Sequence, residues 1–199
     1  MIAIVDYRAG NLMSVRLALE HIGADCEITS DPSRVLAADR VIFPGVGAAA
    51  EAMRNLRELR LLDAIETAVA DRKPFLGICL GTQIIFEFSE EDGGTGCIGL
   101  VPGATRRFSP ADPLCKIPHM GWNTVEIVRP HPLLRDIDDN SEFYFVHSYY
   151  PAPSDPRYVI GRTDYADVGF ASIVGKENVF ATQFHPERSG RIGLKLLKN

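Results

Sequence analysis

A chain of 199 residues and 21.9 kDa, 46% hydrophobic and 24% charged with 17 Gly and 13 Pro, has the composition of an ordinary folded protein, which excludes the disordered, fibrous and disulfide-stapled classes. Its 21 Lys and Arg against 26 Asp and Glu leave a net charge of -5, and no basic run exceeds Arg106-Arg107, so a phosphate-neutralising nucleic-acid face is excluded as well. The length fits one domain spanning 1–199.

Ile2-Ala3-Ile4-Val5 reads as a buried strand. Asp6 cuts it at once and no basic residue precedes it, so neither a signal peptide nor a membrane span is expected, and the protein is expected in the cytosol. Asn11 then caps a helix in which Leu12, Val15, Leu19 and Ile22 recur at helical spacing. An apolar stretch at 26–29 ends in Ser30-Asp31-Pro32, and Arg40 to Phe43 forms a third strand running into Pro44-Gly45. One long helix is expected next, its apolar face of Met53, Leu56, Leu59, Ile65 and Val69 continuing to Lys73-Pro74. Phe75 to Cys79 is a short continuous apolar strand, and Leu80 to Phe88 reads as helical. This alternation predicts an α/β fold with right-handed crossovers and a mostly parallel central sheet carrying helices on both faces, with ligands at the carboxyl ends of its strands.

From about residue 93 the character changes, and Gly, Pro and turn residues separate shorter strands at 121–128, 142–149, 157–163, 168–174 and 178–184 before a last helix near 189–198. This half is expected to add antiparallel strands. The acidic Ser89-Glu90-Glu91-Asp92-Gly93-Gly94 reads as a surface loop.

Gly77-Ile78-Cys79-Leu80-Gly81 stands where an apolar strand meets a helix, the setting of a nucleophile elbow with Cys in place of Ser. So tight a bend holds its central residue in a strained conformation and needs side-chain-free neighbours two before and two after. The helix N-terminus beside the sulfur favours the thiolate. A nucleophile needs a base, and the base an orienting group. His185-Pro186-Glu187 answers both needs if the strand through Val179-Phe184 continues, because positions two apart then share a side. Donors for an oxyanion are offered by the backbone N–H of Leu80 and by the turn Pro44-Gly45-Val46-Gly47, where Val46 and Gly47 belong to a peptide that glycine leaves free to rotate.

Other patterns carry less. Gly94-Thr95-Gly96-Cys97-Ile98-Gly99 spells a dinucleotide string, but Pro102-Gly103 follows where a helix would have to open. Cys26, Cys97 and Cys115 have no paired spacing, and His21, His119, His131 and His147 have no partner at metal-ligand spacing. His147 and the tyrosines at 144, 149 and 150 read as cross-strand packing residues.

With elbow, His-Pro-Glu and glycine turn together, the chain resembles the class I glutamine amidotransferases, and the order Cys79, His185, Glu187 matches theirs. Asp6-Tyr7-Arg8-Ala9-Gly10-Asn11 and His119-Met120-Gly121-Trp122-Asn123 narrow the resemblance to the glutaminase subunits of the imidazole glycerol phosphate synthases; Phe145-Val146-His147-Ser148-Tyr149 and Phe184 to Gly190 fit as well. Arg8 and Thr82 depart from the commonest pattern, which has Gly and Met there. The resemblance implies Cys79 as nucleophile, His185 as acid/base and Glu187 as its orienter, with glutamine held near Gly47, Leu80, Gln83, Glu91, Ser148 and Tyr149. It implies no cofactor and no metal. It also implies a (β/α)₈-barrel cyclase as partner, which would be faced by Asn11, Trp122 and Arg188. Two rivals stay open: another class I glutaminase, such as one serving pyridoxal phosphate synthesis, and a binding protein that keeps the elbow as a relic.

Overall fold

Apolar residues alternate between two covered faces along the early strands. In β1 (Ile2–Val5), Val5 joins one core cluster and Ile4 another, and the split recurs further on. The computed structural model describes residues 1–8, 10–112 and 114–199; Ala9, part of the first motif above, lies outside them. After β1 come α1 (Leu12–His21), β2 (Cys26–Thr29), α2 (Pro32–Ala37), β3 (Arg40–Gly45), α3 (Ala49–Glu58), α4 (Leu61–Ala70), β4 (Phe75–Cys79) and α5 (Leu80–Ile84). The second half holds β5 (Phe88–Ser89), β6 (Thr95–Gly96), β7 (Gly103–Arg107), β8 (His119–Ile127), β9 (Ser141–His147), β10 (Tyr149–Pro153), β11 (Val159–Tyr165), β12 (Val168–Lys176), β13 (Val179–Thr182) and α6 (Gly190–Lys198).

The main sheet is nine-stranded, in the order β2-β1-β3-β4-β13-β12-β11-β8-β9. Pairing is parallel from β2 through β13 and antiparallel from there to β9, so the added strands extend one edge. A smaller sheet, β10-β7-β5-β6, stands apart. Val41 and Phe43 of β3 pack with α3 and α4, whereas Ile42 packs with α1, which puts helices on both faces. Phe180 and Phe184 join Leu196 of α6 in the third cluster.

Three expectations about elements need correction. The single long helix is two, because Arg60 adopts a left-handed conformation (φ 55°) between α3 and α4. Leu62 bridges Leu59 and Ile65 at helical spacing and all three pack on the same core, so the apolar stripe runs on through the break and gives no sign of it. The helix after Cys79 stops at Ile84 rather than Phe88: the carbonyls of Ile84, Ile85 and Phe86 accept instead from the N–H groups of Ile98, Val101 and Gly99, so a returning loop replaces further helical turns. The strand before His185 ends at Thr182, and Pro186–Arg188 is a 3₁₀ turn. His185 and Glu187 therefore meet across a turn and not along an extended strand.

The parallel order sets the carboxyl ends of β3, β4 and β13 side by side, with Gly45 opposite Cys79 and Thr182 opposite Ile78. A Cβ on Gly81 would lie 1.9 Å from the Phe43 carbonyl oxygen, and one on Gly77 would lie 3.0 Å from that of Gly81. The two glycines thus let α5 sit against the strand ends. Gly81→Ala is expected to cost about 2–3 kcal/mol or more in urea unfolding, an overpacking penalty, whereas Gly96→Ala, with nothing within 4 Å of its Cβ, should stay within about 0.5 kcal/mol. Equal stabilities would mean that the helix can retreat from β3.

Candidate active site

Cys79 closes β4 with φ 54° and ψ -106°, a strained conformation for a residue with a side chain, and it is buried. Its sulfur lies 3.8 Å from the Val146 carbonyl oxygen and 3.7 Å from Gln183 Nε2. The His185 ring is 2% exposed, and its Nδ1 lies 2.7 Å from Glu187 Oε1. That bond to a carboxylate puts the proton on Nδ1 and leaves Nε2 for chemistry. Nε2 is buried and makes no aligned hydrogen bond, a looseness common in catalytic pairs before substrate binds.

Burial alone would strip the ring of its second proton. The charge of a Cys79 thiolate, its capacity to accept a hydrogen bond, and Glu187 outweigh burial, so the ring's pKa is raised from its ordinary value to about 10. With the folded value above the unfolded one, this group's contribution to stability is complete below about pH 6.5 and is lost as pH rises through about 10.

The Glu187 side chain is wholly buried, and its Oε1 also accepts from Asn11 Nδ2 at 2.6 Å. Asn11 was expected to cap α1. It precedes the helix in a left-handed conformation (φ 70°) and makes no capping bond with its side chain, which reaches Glu187 instead. Arg8, standing where glycine is common, also lies at positive φ (68°), the region glycine enters without strain, and pairs with Glu58. Thr82, the other departure, is buried, and its hydroxyl donates to the Thr182 carbonyl, tying α5 to β13.

Gly45 and Gly47 of the glycine turn differ in role. A Cβ on Gly45 would fall 2.1 Å from the Tyr7 hydroxyl, so Gly45 serves close packing; Gly47 has φ 100° with open space where its Cβ would be, and it and Val46 are exposed. Leu80, next after Cys79, is buried at the start of α5. Gln83 Nε2 donates to the Tyr149 carbonyl (2.9 Å) and to Gln183 Oε1 (3.1 Å), so its oxygen is the end left for a ligand. Glu91 accepts from the Ala49 N–H at 2.6 Å, at the first turn of α3, and burial raises its pKa despite that bond. Burial, and after it the charge of Glu91, raise the pKa of the Tyr149 hydroxyl. Ser148 and Tyr149 stand at the break between β9 and β10, just beyond the carbonyl of Val146 that touches the sulfur.

Trp122 is 54% exposed, which rules out a core position. It lies opposite Tyr144 in the β8–β9 register, and Arg188 sits over the Tyr144 ring at 4.9 Å. Trp122, Arg188 and, through Glu187, Asn11 thus form one neighbourhood beside His185. Sequence reading missed Gln183. The available signal was its place two before His185, a polar residue after the apolar run of β13. Among the described residues no group of three or more His, Cys, Asp or Glu could hold a metal ion, and no helix is long and apolar enough to cross a membrane.

The family model of class I glutamine amidotransferases matches residues 3–199. The chain belongs to this family. Within it, this amidotransferase groups with the imidazole glycerol phosphate synthase subunit HisH: it is 50% identical over 200 residues to that of Nitrosococcus oceani and 49% identical over 199 to that of Methanocaldococcus jannaschii, covering the whole chain and 95% and 97% of those proteins. Among solved structures it is similar to a glutamine amidotransferase (TM-score 0.76, 16% identity, 100% of this chain and 97% of the other) and to PurLQS from Thermotoga maritima (0.76, 20%, 99% and 95%), which at that identity speak for the fold alone.

In an NMR titration of this amidotransferase, the His185 ring is expected to stay protonated beyond neutral pH. In Cys79→Ala it should lose its proton about 1–3 units earlier. Identical titrations would show that the sulfur does not act on the ring.

Proposed function

We propose that the chain, as one domain over 1–199, is the glutaminase subunit of an imidazole glycerol phosphate synthase and hydrolyses L-glutamine to glutamate and ammonia. The observation that carries this reading is the buried His185 ring, anchored through Nδ1 by the buried Glu187 carboxylate at 2.7 Å. The Cys79 thiolate attacks the side-chain amide carbon. The resulting oxyanion is held by the Leu80 N–H and by the Val46-Gly47 peptide. His185 delivers its proton to the leaving nitrogen, ammonia departs, and a water that His185 deprotonates hydrolyses the thioester. Gly47, Gln83, Glu91, Ser148 and Tyr149 hold the substrate, with the Glu91 carboxylate suited to its α-ammonium group. No cofactor or metal enters.

Ammonia released into neutral water becomes ammonium and loses its nucleophilicity, so the reaction is useful only if the product passes directly to a second site. That site belongs to a (β/α)₈-barrel cyclase, which uses the ammonia to form imidazole glycerol phosphate and aminoimidazole carboxamide ribonucleotide in histidine biosynthesis. A barrel of that kind takes about 250 residues and is not contained in these 199. Asn11, Trp122 and Arg188 face the partner, a reading supported by the exposure of Trp122 and Arg188 next to His185. The exposed Gly47 turn lets the oxyanion peptide turn toward the sulfur when the cyclase holds its nucleotide. The four cysteines, all free, fit a cytosolic setting.

Glutamine turnover is expected to be poor for the chain alone, to rise when the cyclase and its nucleotide are added, and to fall about 10⁴-fold or more in Cys79→Ala. Full turnover without the cyclase would remove the switch, and an undiminished rate in Cys79→Ala would remove the nucleophile. Trp122, the single Trp, should shift its emission when the complex forms. An unchanged spectrum in a proven complex would put Trp122 outside the interface.

A further inference from the structure

Among the described residues, one side-chain N–H group makes a hydrogen-bond contact with the Cys79 sulfur, that of Gln183 at 3.7 Å. An amide's two ends have nearly the same shape, so which end faces the sulfur follows from the groups that can only donate or only accept. The Tyr149 carbonyl oxygen can only accept. Gln83 therefore turns its NH₂ toward it, at 2.9 Å, and the same nitrogen faces Gln183 at 3.1 Å, so Gln183 presents its oxygen there and its NH₂ to the sulfur. With Gln183 reversed, two NH₂ groups would face each other and an oxygen would face a thiolate.

The Tyr149 oxygen has a second lone pair, and His147 Nδ1 fills it at 2.7 Å. His147 thus carries its proton on Nδ1, and its Nε2 accepts from His119 Nδ1, 2.9 Å away. His119 Nε2 in turn accepts from Asn123 Nδ2 at 3.2 Å. The directions agree at every link from β8 to the nucleophile. Burial drives both rings far below the ordinary histidine value, to about 4 for His119 and about 3 for His147, so both are neutral near pH 7. Neutrality is what the chain of bonds requires, since a second proton on His147 would set two N–H groups against each other. His119 and His147 face each other in the β8–β9 register and also form a relay.

We propose that Gln183 is a catalytic residue that donates an N–H to the Cys79 thiolate, and that the His119–His147 pair is a positioning device: it donates to the second lone pair of the Tyr149 carbonyl and holds that oxygen where it orients Gln83 and, through Gln83, Gln183. This rests on the reading of Cys79 as nucleophile. Its glutaminase role for Gln183 is to enlarge the fraction of reactive thiolate before substrate arrives.

Iodoacetamide labelling of the full chain at pH 7, resolved to each cysteine by peptide mass spectrometry, tests this without glutamine or cyclase. Cys26, Cys97 and Cys115 report whether the fold is intact. Gln183→Met is expected to slow Cys79 labelling about tenfold, the loss of a hydrogen bond to a charged group, and to leave the other three unchanged. His147→Phe should slow it as well, and His147→Asn, which keeps a donor near the Nδ1 position, should restore most of the rate. An unchanged Cys79 rate in Gln183→Met overturns the catalytic role. His147→Asn no better than His147→Phe overturns the relay. A native Cys79 that does not label at all overturns the nucleophile reading itself, a different result from either. Should Gln183→Met not fold, the His147 pair decides.

Discussion

The site depends on one backbone constraint, the left-handed bend at Cys79. Such a conformation costs about 1–3 kcal/mol in a residue with a side chain and persists only where its surroundings over-determine it. Here the surroundings are the Phe43 carbonyl of β3, which leaves no room for a Cβ on Gly81, and the Gly81 carbonyl with the Ala181 side chain, which crowd one on Gly77. The hydroxyl of Thr82, bonded to the Thr182 carbonyl, ties the short helix to the next strand. The sulfur is lifted above the sheet because the helix after it is pressed down.

Parallel pairing then does the assembling. Three neighbouring strands end at one level, so the glycine turn after β3, the sulfur after β4 and the imidazole after β13 converge although more than a hundred residues separate the first from the last. The antiparallel extension contributes the opposite wall, since the Val146 carbonyl and the segment at Ser148 and Tyr149 belong to the far edge of the sheet and the turn that leaves it. Glu91 accepts from the Ala49 N–H, so its carboxylate ties its loop to the first turn of α3.

Buried polar groups around the sulfur are nearly all paired, as the interior demands. His185 Nε2 and Glu187 Oε2 are exceptions, each buried without a partner. An imidazole nitrogen left unpartnered is free for proton transfer, because a bond already made there would have to be broken first. Asn11 couples this centre to the surface: it precedes α1 and holds the carboxylate that holds the ring.

Local sequence determined the alternating strands, the strand-to-helix bend with its flanking glycines, and the residue types at 79, 185 and 187. Each is written in periodicity, or in a glycine that nothing else can replace. Helix lengths were less legible, since the end of α5 is set by carbonyls that the N–H groups of residues 97–101 capture, and the α3–α4 break by a left-handed Arg60 inside an unbroken apolar stripe. The contact between His185 and Glu187 was anticipated on the wrong backbone, a strand in place of a turn, because i and i+2 can meet in both. Only the tertiary structure decided that Asn11 bonds Glu187, that Trp122 is exposed and that Gln183 faces the sulfur. Those facts depend on which distant backbones lie side by side, and sequence spacing records no distance across a sheet.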